Sequence, residues 1–588
     1  MKLLLVALNA KYIHTNIAIR YLKHSMNEIN IDVDIAEFTI NHRIEYIVSE
    51  IYKRRPKIIG FSTYIWNVDM IHRISKLLKK IMPELVIILG GPEVSFDVEE
   101  IMKSNDSIDI IVIGEGEKTF PKLVKALINN WDYSQIDSIA FRAKGKVYVG
   151  ETLPKPINLD ELSFPYQKEN LNPNKIVYYE SSRGCPFQCQ YCLSSRLGGV
   201  RFRSLELVKE EILYFIEQEI KQVKFIDRTF NANKSHAMEI MDFIVKNSRG
   251  KTNFHFEIVS ELVDNDMLGF LSKVPAGLFQ FEIGVQSTNP ETLKEIQRKL
   301  NFNRLTKVVH HIRNDRNIHL HLDLIAGLPK EDYFTFRKSF DDVFFLRPDK
   351  LQLGFLKLLR GSGIRERFKD YGYIFDDYPP YELLENNCIS YTDIVKLKGV
   401  EKMLELYWNN RMFRNSIYAI INNHYRSPFR FFEDLSCYWE KNKYHHKSHG
   451  RDKLYNIIFD FYKSRWGNHT NIFKDILKLD YLKHNKTYTL PSLFRRNESK
   501  EFTDRCHKFL QKPINIKKYL PDYHGLSAKQ IIKNVHFERF DYNIMNIVNN
   551  NQDLEQVVEE EIIILFDYRA SKGAIEACSC HLLGDREF

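Results

Sequence analysis

Along the first 130 residues, short apolar runs alternate with segments whose apolar positions recur every three to four residues. The runs are KLLLVAL, DVDIAEF, KIIGFST, ELVIILGG and IDIIVIGEGE, and NVDMIHRISKLLKKIM typifies the segments between them. A short continuous apolar run reads as a strand buried on both faces, and the longer period reads as an amphipathic helix. Five strand–helix units in series predict a doubly wound parallel sheet, because right-handed crossovers put helices on both of its faces. Ligands of such sheets bind beyond the carboxyl ends of the strands. Those ends carry Asn9-Ala10-Lys11, Ser62-Thr63-Tyr64, Gly90-Gly91-Pro92-Glu93 and Gly114-Glu115-Gly116-Glu117. Glycine there lets a ligand approach the backbone closely, and it is also ordinary turn chemistry.

A connector follows over residues 134–175. DSIAFRAKGKVYVGE reads as a hairpin around Lys144-Gly145, and LPKPINLDELSFPYQKENLNPNK reads as a Pro- and Asn-rich linker. A second alternating series begins at residue 176, with strand-like runs IVYYESS, QVKFIDRTF, FHFEIVS, LFQFEIGVQS, HLHLDLIAGLP and KLQLGFLKL. Six such units predict a partial (β/α)6 barrel over residues 176–365, with its site at the carboxyl ends of the strands. From 366 to 570 the pattern becomes long, aromatic-rich and mainly helical, closed by the strand-like VVEEEIIILFDYRA. Residues 571–588 read as an unpacked tail. The expectation is therefore an α/β protein: an N-terminal sheet domain (1–133), the connector, the barrel and a mostly helical C-terminal domain.

Composition narrows the class. Of 588 residues, 44% are hydrophobic and 27% charged, which excludes disordered and fibrous chains. No apolar run approaches the ~20 residues of a membrane span. The opening MKLLLVALNAKY has an apolar run of only Leu3 to Leu8 and no small-residue cleavage site, so it fits a first strand better than a signal peptide. Eight scattered cysteines form no disulfide-like framework, which suggests a reducing compartment, and the expectation is a soluble, cytoplasmic protein. The formal charge of +9 is uneven: residues 395–540 hold 29 Lys/Arg against 14 Asp/Glu. Such a segment suits either a solvated helical surface or an anionic partner such as RNA.

The stretch GCPFQCQYCL gathers Cys185, Cys189 and Cys192 within eight positions, just after the first strand of the second series. Three thiolates on one loop can hold three irons of a [4Fe–4S] cluster and leave the fourth iron without a protein ligand. An open iron can take the amino and carboxylate groups of S-adenosyl-L-methionine. The other readings are a zinc knuckle or a buried cysteine cluster, but structural zinc normally closes four ligands and no fourth Cys or His lies nearby. Cys388, Cys437 and Cys506 have no spacing that suggests a second cluster.

The CxxxCxxC loop, with Tyr191 before its last cysteine, and the strands that follow resemble the radical SAM superfamily. The N-terminal sheet resembles the branch of that superfamily with a cobalamin-binding domain, and the remainder resembles an uncharacterised C-terminal extension. What the resemblance implies is a cluster bound by Cys185, Cys189 and Cys192, S-adenosyl-L-methionine, cobalamin, and an electron donor such as a flavodoxin or ferredoxin. It also implies ligand contacts at strand ends: Tyr191, Asp227 and Thr229 near the methionine, and Glu257, Ser260, Glu282 and Gln286 toward ribose or methionine. Each of these polar residues has a second reading, as a hydrogen-bonding partner inside the barrel. On the cobalamin side the matching positions are Asn9, Ser62, Tyr64, Gly90, Gly91 and Glu115. Many corrinoid domains carry an axial histidine where this chain has Lys11, and His14 reads as a local polar residue, so cobalamin is expected without an axial His. The implied function is radical methyl transfer to an unactivated position of an unknown substrate. Cyclisation, rearrangement or oxidation without methylation, and RNA binding by the basic segment, are the alternatives. A tRNA methylthiotransferase would need three more cysteines in the N-terminal domain, and none precedes Cys185.

Overall fold

The computed structural model describes all residues except Met1, Asn30, Asp32, 151–155, Lys168, Asn170, Leu197, Tyr488, 496–498, Asn551, 570–577 and 585–587. They form two compact units, Met1–Tyr333 with Phe355–Tyr391, and Phe334–Gly354 with Thr392–Phe588.

In the first unit the five predicted strands form a parallel array: β1 (Leu3–Asn9), β2 (Val33–Thr39), β3 (Ile58–Ser62), β4 (Val86–Gly90) and β5 (Ile110–Val112). Every residue of β1 is buried. Leu4, Val6 and Leu8 enter one core and Leu3, Leu5 and Ala7 the other, so the sheet is apolar on both faces. The hairpin predicted around Lys144-Gly145 is present as β6 (Ile139–Ala143) and β7 (Lys146–Val149), with both turn residues at positive φ. It does more than connect, since β6 pairs antiparallel with β5 and extends the sheet to the order β2-β1-β3-β4-β5-β6-β7. The stretch expected to be a linker is a packed strap. Ile157, Leu159, Tyr166 and Leu171 are buried, and Glu169 pairs with Arg20 at 3.0 Å. Its prolines signal irregular backbone, while its apolar residues still need cover.

The second series gives β8 (Ile176–Tyr179), a short antiparallel pair β9 (Ser182–Gly184) and β10 (Val200–Phe202), then β11 (Gln222–Phe225), β12 (Asn253–Glu257), β13 (Phe279–Gln286) and β14 (His319–Ala326). Strands β8, β11, β12, β13 and β14 lie parallel in that order. One face carries Phe225, Phe256, Phe279 and Phe281, linked by aromatic contacts, with Phe254 buried on the same face. The alternate positions form the opposite, polar face. The sixth predicted strand forms as β15 (Lys350–Phe355), of which only Phe355 belongs to the first unit. Residues 355–391, expected to straddle the start of the C-terminal domain, group with the first unit and add β16 (Ile374–Phe375) and β17 (Leu383–Glu385).

The second unit is helical, as expected, except for a three-stranded antiparallel sheet: β18 (Val535–Tyr542), β19 (Glu559–Asp567) and β20 (Ser579–Leu583). Only β19 was foreseen. The tail expected to be unpacked supplies β20, whose Leu583 is buried, while residues 571–577 lie outside the described residues. The helix Thr470–His484 packs its Ile472, Ile476 and Leu479 on one face of this sheet, and Phe502, Cys506 and Phe509 cover the other. Cys506 is thus an apolar core residue, and Cys437 is exposed. No helix among the described residues is long and apolar enough to cross a membrane.

Candidate functional site

The cysteine loop springs from β9 and returns through β10. Gly184 stands immediately before Cys185 at φ +106°, where an added Cβ would lie 2.1 Å from the Gly199 carbonyl oxygen, so only glycine closes this hairpin. The backbone N–H of Gln190 donates to Ile296 O at 3.0 Å, and that of Ile364 donates to Gln190 O at 2.9 Å, which pins the loop between two other segments. Cys189 is buried, Cys185 and Cys192 are half-buried, and all three are free thiols. Thr229 brings its hydroxyl within 3.6 Å of Cys185 Sγ, and Arg298 donates to Cys189 Sγ at 3.7 Å and to the Tyr191 hydroxyl at 3.4 Å. Burial and the nearby Cys189 push the Tyr191 phenol above its ordinary range, although Arg298 opposes them. Sequence reasoning missed Arg298. No motif marks it, and only the path from β13 back over the loop reveals it.

The donor set suits an iron–sulfur cluster. Three thiols share one pinned loop, and a guanidinium beside one sulfur compensates the negative charge that such a cluster carries. Gln286, at the end of β13, holds an unusual backbone (φ +72°), and its side-chain oxygen is buried without a hydrogen-bond partner. A buried acceptor of this kind fits a residue that awaits a ligand.

Asp227 lies just after β11 and is buried. Its Oδ1 accepts from the Ser181 and Ser182 hydroxyls, each at 2.6 Å, and its Oδ2 accepts from Ser181 N at 3.0 Å. Burial raises its pKa to about 6 against the pull of those three donors. All of these bonds run to the corner that feeds the cysteine loop, so the observed role is to hold that corner. Ser260 donates to Glu261 at 3.1 Å. Glu282 is 3.1 Å from Lys224 Nζ and 3.0 Å from His255 Nε2. Burial pushes the Glu282 carboxyl up, but these neighbours hold it well below the usual carboxylate range. Glu257 lies 3.8 Å from Lys224, and its pKa is raised by burial.

The edge of the first sheet reaches this site. Glu115 pairs with Arg201 of β10 (Nη1–Oε2 3.1 Å) and lies 3.6 Å from Arg183 of β9, and Glu117 accepts from Arg183 at 2.8 Å. Burial raises the Glu115 carboxyl, but the arginines outweigh it and hold the pKa low. His14, on the loop after β1, shares a hydrogen bond with Tyr178 of β8 (2.8 Å), and Thr15 donates to Ile176 O. Asn9 donates to His14 O and to Glu37, and the Ser62 hydroxyl accepts from Asn16 at 3.2 Å. Tyr64 stacks on Trp66 at 4.4 Å, and Lys11, Tyr12 and Ile13 are exposed. The two edge glycines differ. A Cβ on Gly91 (φ +120°) would meet Thr63 O at 2.4 Å, so the backbone itself requires that glycine, whereas a Cβ on Gly90 would meet only ordinary contacts near 3.8 Å. Gly90, the stacked aromatics and the exposed 11–13 loop line the carboxyl-end rim of the first sheet.

Comparison with known proteins agrees with this division. Residues 3–124 match the B12 binding domain, 179–343 the Radical SAM superfamily, and 369–566 a family described as a protein of unknown function (DUF4080). An uncharacterized methyltransferase of Pyrococcus horikoshii is 34% identical over 33% of this chain and 44% of its own length. The anaerobic magnesium-protoporphyrin IX monomethyl ester cyclase of Synechocystis is 29% identical over 43% of this chain and 52% of its own. The chain thus spans about half the length of these curated relatives. Its fold resembles that of the cobalamin-dependent S-adenosylmethionine radical enzyme OxsB (TM-score 0.55, 16% identity, covering 82% of this chain and 83% of that one). The matches over residues 3–124 and 179–343, the second enclosing the CxxxCxxC loop, make this chain a radical SAM protein with an N-terminal B12-binding domain, followed by a C-terminal domain of a family of unknown function.

Proposed function

We propose that the protein is a cobalamin-dependent radical SAM methyltransferase acting on a substrate that its sequence does not name. The observation that carries this reading is the clamp of Arg183 and Arg201, on the strands that hold the cysteine loop, by Glu115 and Glu117, on the ligand edge of the first sheet. It sets the two cofactor regions side by side within one compact unit. When bound, the cluster supplies the electron that cleaves the sulfonium of S-adenosyl-L-methionine, and the corrinoid supplies the methyl group. The chain's own residues do the positioning. Cys185, Cys189 and Cys192 hold the cluster, Arg298 sits beside one sulfur, and Asp227 braces the corner from which the loop leaves. Gln286 offers a buried acceptor, and Thr229 contacts the first cysteine. An external electron donor, of the flavodoxin or ferredoxin kind, completes the scheme.

The kinship with the cyclase supports one alternative, radical bond formation without methyl transfer. One experiment separates the two. The full chain, reconstituted anaerobically with iron, sulfide and hydroxocobalamin, is supplied with S-adenosyl-L-methionine and a reductant. Formation of both 5′-deoxyadenosine and S-adenosylhomocysteine is expected. 5′-Deoxyadenosine alone would favour the alternative, and neither product would defeat both readings.

A further inference from the structure

The polar face of the central sheet carries a charged group that neither the cysteine loop nor the sheet edge uses. Glu282 of β13 and His321 and Asp323 of β14 each offer one donor atom, and these atoms lie within 4.8 Å of one another. The strand register sets Glu282 beside His321, and the alternation of β14 puts Asp323 on the same face. His255 of β12 adds a second imidazole, 3.0 Å from Glu282.

Two features point to a ligand. His255 and His321 are 6% and 5% exposed. His321 Nε2 lies 2.8 Å from Asp323 Oδ1, yet neither of these atoms, nor His255 Nε2, makes an aligned hydrogen bond. Buried nitrogen and oxygen atoms this close, without a proton directed between them, repel unless a cation is shared. Charge is the second feature. Glu257, Glu282 and Asp323 share the face with one ammonium, Lys224, which occupies Glu282 Oε2 at 3.1 Å. Arg228, the other nearby cation, is exposed. Burying unbalanced carboxylates is costly, and one divalent ion would balance the set.

We propose that Glu282, His321 and Asp323, with His255 beside them, bind one divalent transition-metal cation distinct from the iron–sulfur cluster. The mixed imidazole and carboxylate donors, with no thiolate, select manganese, ferrous iron or zinc over soft cuprous copper and over the all-oxygen sites of calcium. The site stands whether or not the protein transfers methyl groups.

The test uses the full chain with its cluster reconstituted and oxidised to the diamagnetic state, then titrated anaerobically with Mn2+. Free Mn2+ gives a six-line electron paramagnetic resonance signal that disappears on binding. The wild type should take up one equivalent, and pulsed measurements should detect imidazole nitrogen on the bound ion. Asp323→Asn and His321→Gln should each bind at least tenfold more weakly while keeping full iron. A His445→Ala/His446→Ala variant, which removes an adjacent histidine pair of the second unit, should bind as the wild type does. No uptake by the wild type, uptake without nitrogen coupling, undiminished uptake by both site variants, or loss of uptake in the His445/His446 variant would each overturn the proposal. The last arm decides even if a site variant fails to fold.

Discussion

The first unit contains two sheets whose parallel strands arise from the same strand–helix alternation, and they expose their chemistry in opposite ways. In the first sheet, β1 is buried at every position and apolar from Leu3 to Leu8, with its one polar residue, Asn9, at the carboxyl end. In the second, β13 alternates strictly between buried and half-buried residues, and one whole face is lined by Lys224, His255, Glu257, Glu282, His321 and Asp323. A doubly wound sheet must hide both faces under helices, so its ligand can meet only an edge. A sheet with helices on one side keeps the other face for polar groups. The difference assigns the first sheet to holding a cofactor at its rim and the second to surrounding one.

The largest effect should come from the mouth of the second sheet. Cys189→Ala should abolish the brown colour and the complement of about four irons per chain, and S-adenosyl-L-methionine cleavage with them. Full iron in that variant would remove the basis for treating this face as a reaction chamber.

Asp227 tests the same mouth one step back. Asp227→Ala leaves the Ser181 amide without its acceptor, at a cost of roughly 1–3 kcal/mol, and should lower cluster retention together with stability. Weakened S-adenosyl-L-methionine binding at unchanged iron and melting temperature would instead make it a direct ligand contact. Its pH signature has a definite sign. The folded-state pKa of about 6 lies above the ordinary 3.8, so the native protein binds this proton more tightly than the unfolded chain. The contribution is complete below about pH 4 and is lost as pH rises through 6, so stability falls across that window by roughly 3 kcal/mol. Asp480 in the second unit, also near 6, adds a separate slope of the same sign. Asp227→Asn should flatten only the first, as read from melts of the variant and wild type between pH 4 and 7.

Much of this was legible in the chain. The strands of both sheets follow from apolar patterning, and the cysteine loop stands out because its spacing is both rare and local. What escaped depended on distance. Arg298 lies 109 residues from the sulfur it touches, and Glu115 lies 86 from Arg201. Strands β9 and β10 are three residues each, SRG and VRF, too short for any period to register. Strand β20 was hidden because SCHLL follows a stretch with no strand pattern, and its pairing partner is what orders it. Nor does the sequence show that the Thr63 carbonyl fills the space a Cβ on Gly91 would take, so that the backbone requires this glycine whether or not a ligand comes near it.

That glycine pair offers the next test, aimed at the rim of the first sheet. Gly91→Ala combines a positive φ with a clash against backbone and should destabilise the protein by at least about 2–3 kcal/mol. Gly90→Ala should melt within a degree or two of the wild type, since its new methyl meets only ordinary contacts. If the rim holds a corrinoid, Gly90→Ala should nonetheless weaken its uptake severalfold. Normal uptake in a Gly90→Ala protein would shift the cofactor away from β4.

The smallest effect is expected at Lys11, and its smallness is informative. Lys11 stands where an axial histidine is usual. It is exposed on the 11–13 loop, and a charged ammonium has no lone pair to give to cobalt. His14, three residues on, is committed through Nδ1 to Tyr178, and burial, with the Lys11 charge adding to it, lowers its pKa. If neither group ligates cobalt, as the loop sequence leads us to expect, corrinoid affinity should come from burial of the ring against the rim, as in cofactor sites generally. Lys11→Ala should therefore change affinity by less than about twofold, well under the tenfold that 1.4 kcal/mol represents. The electron paramagnetic resonance of the bound cob(II)alamin should show no splitting from an axial nitrogen in either protein. Nitrogen splitting that vanishes in Lys11→Ala would reveal a deprotonated lysine on cobalt. Splitting that survives would point to a histidine or to the cofactor's own base, and the first sheet would then do more than hold a ring at its rim.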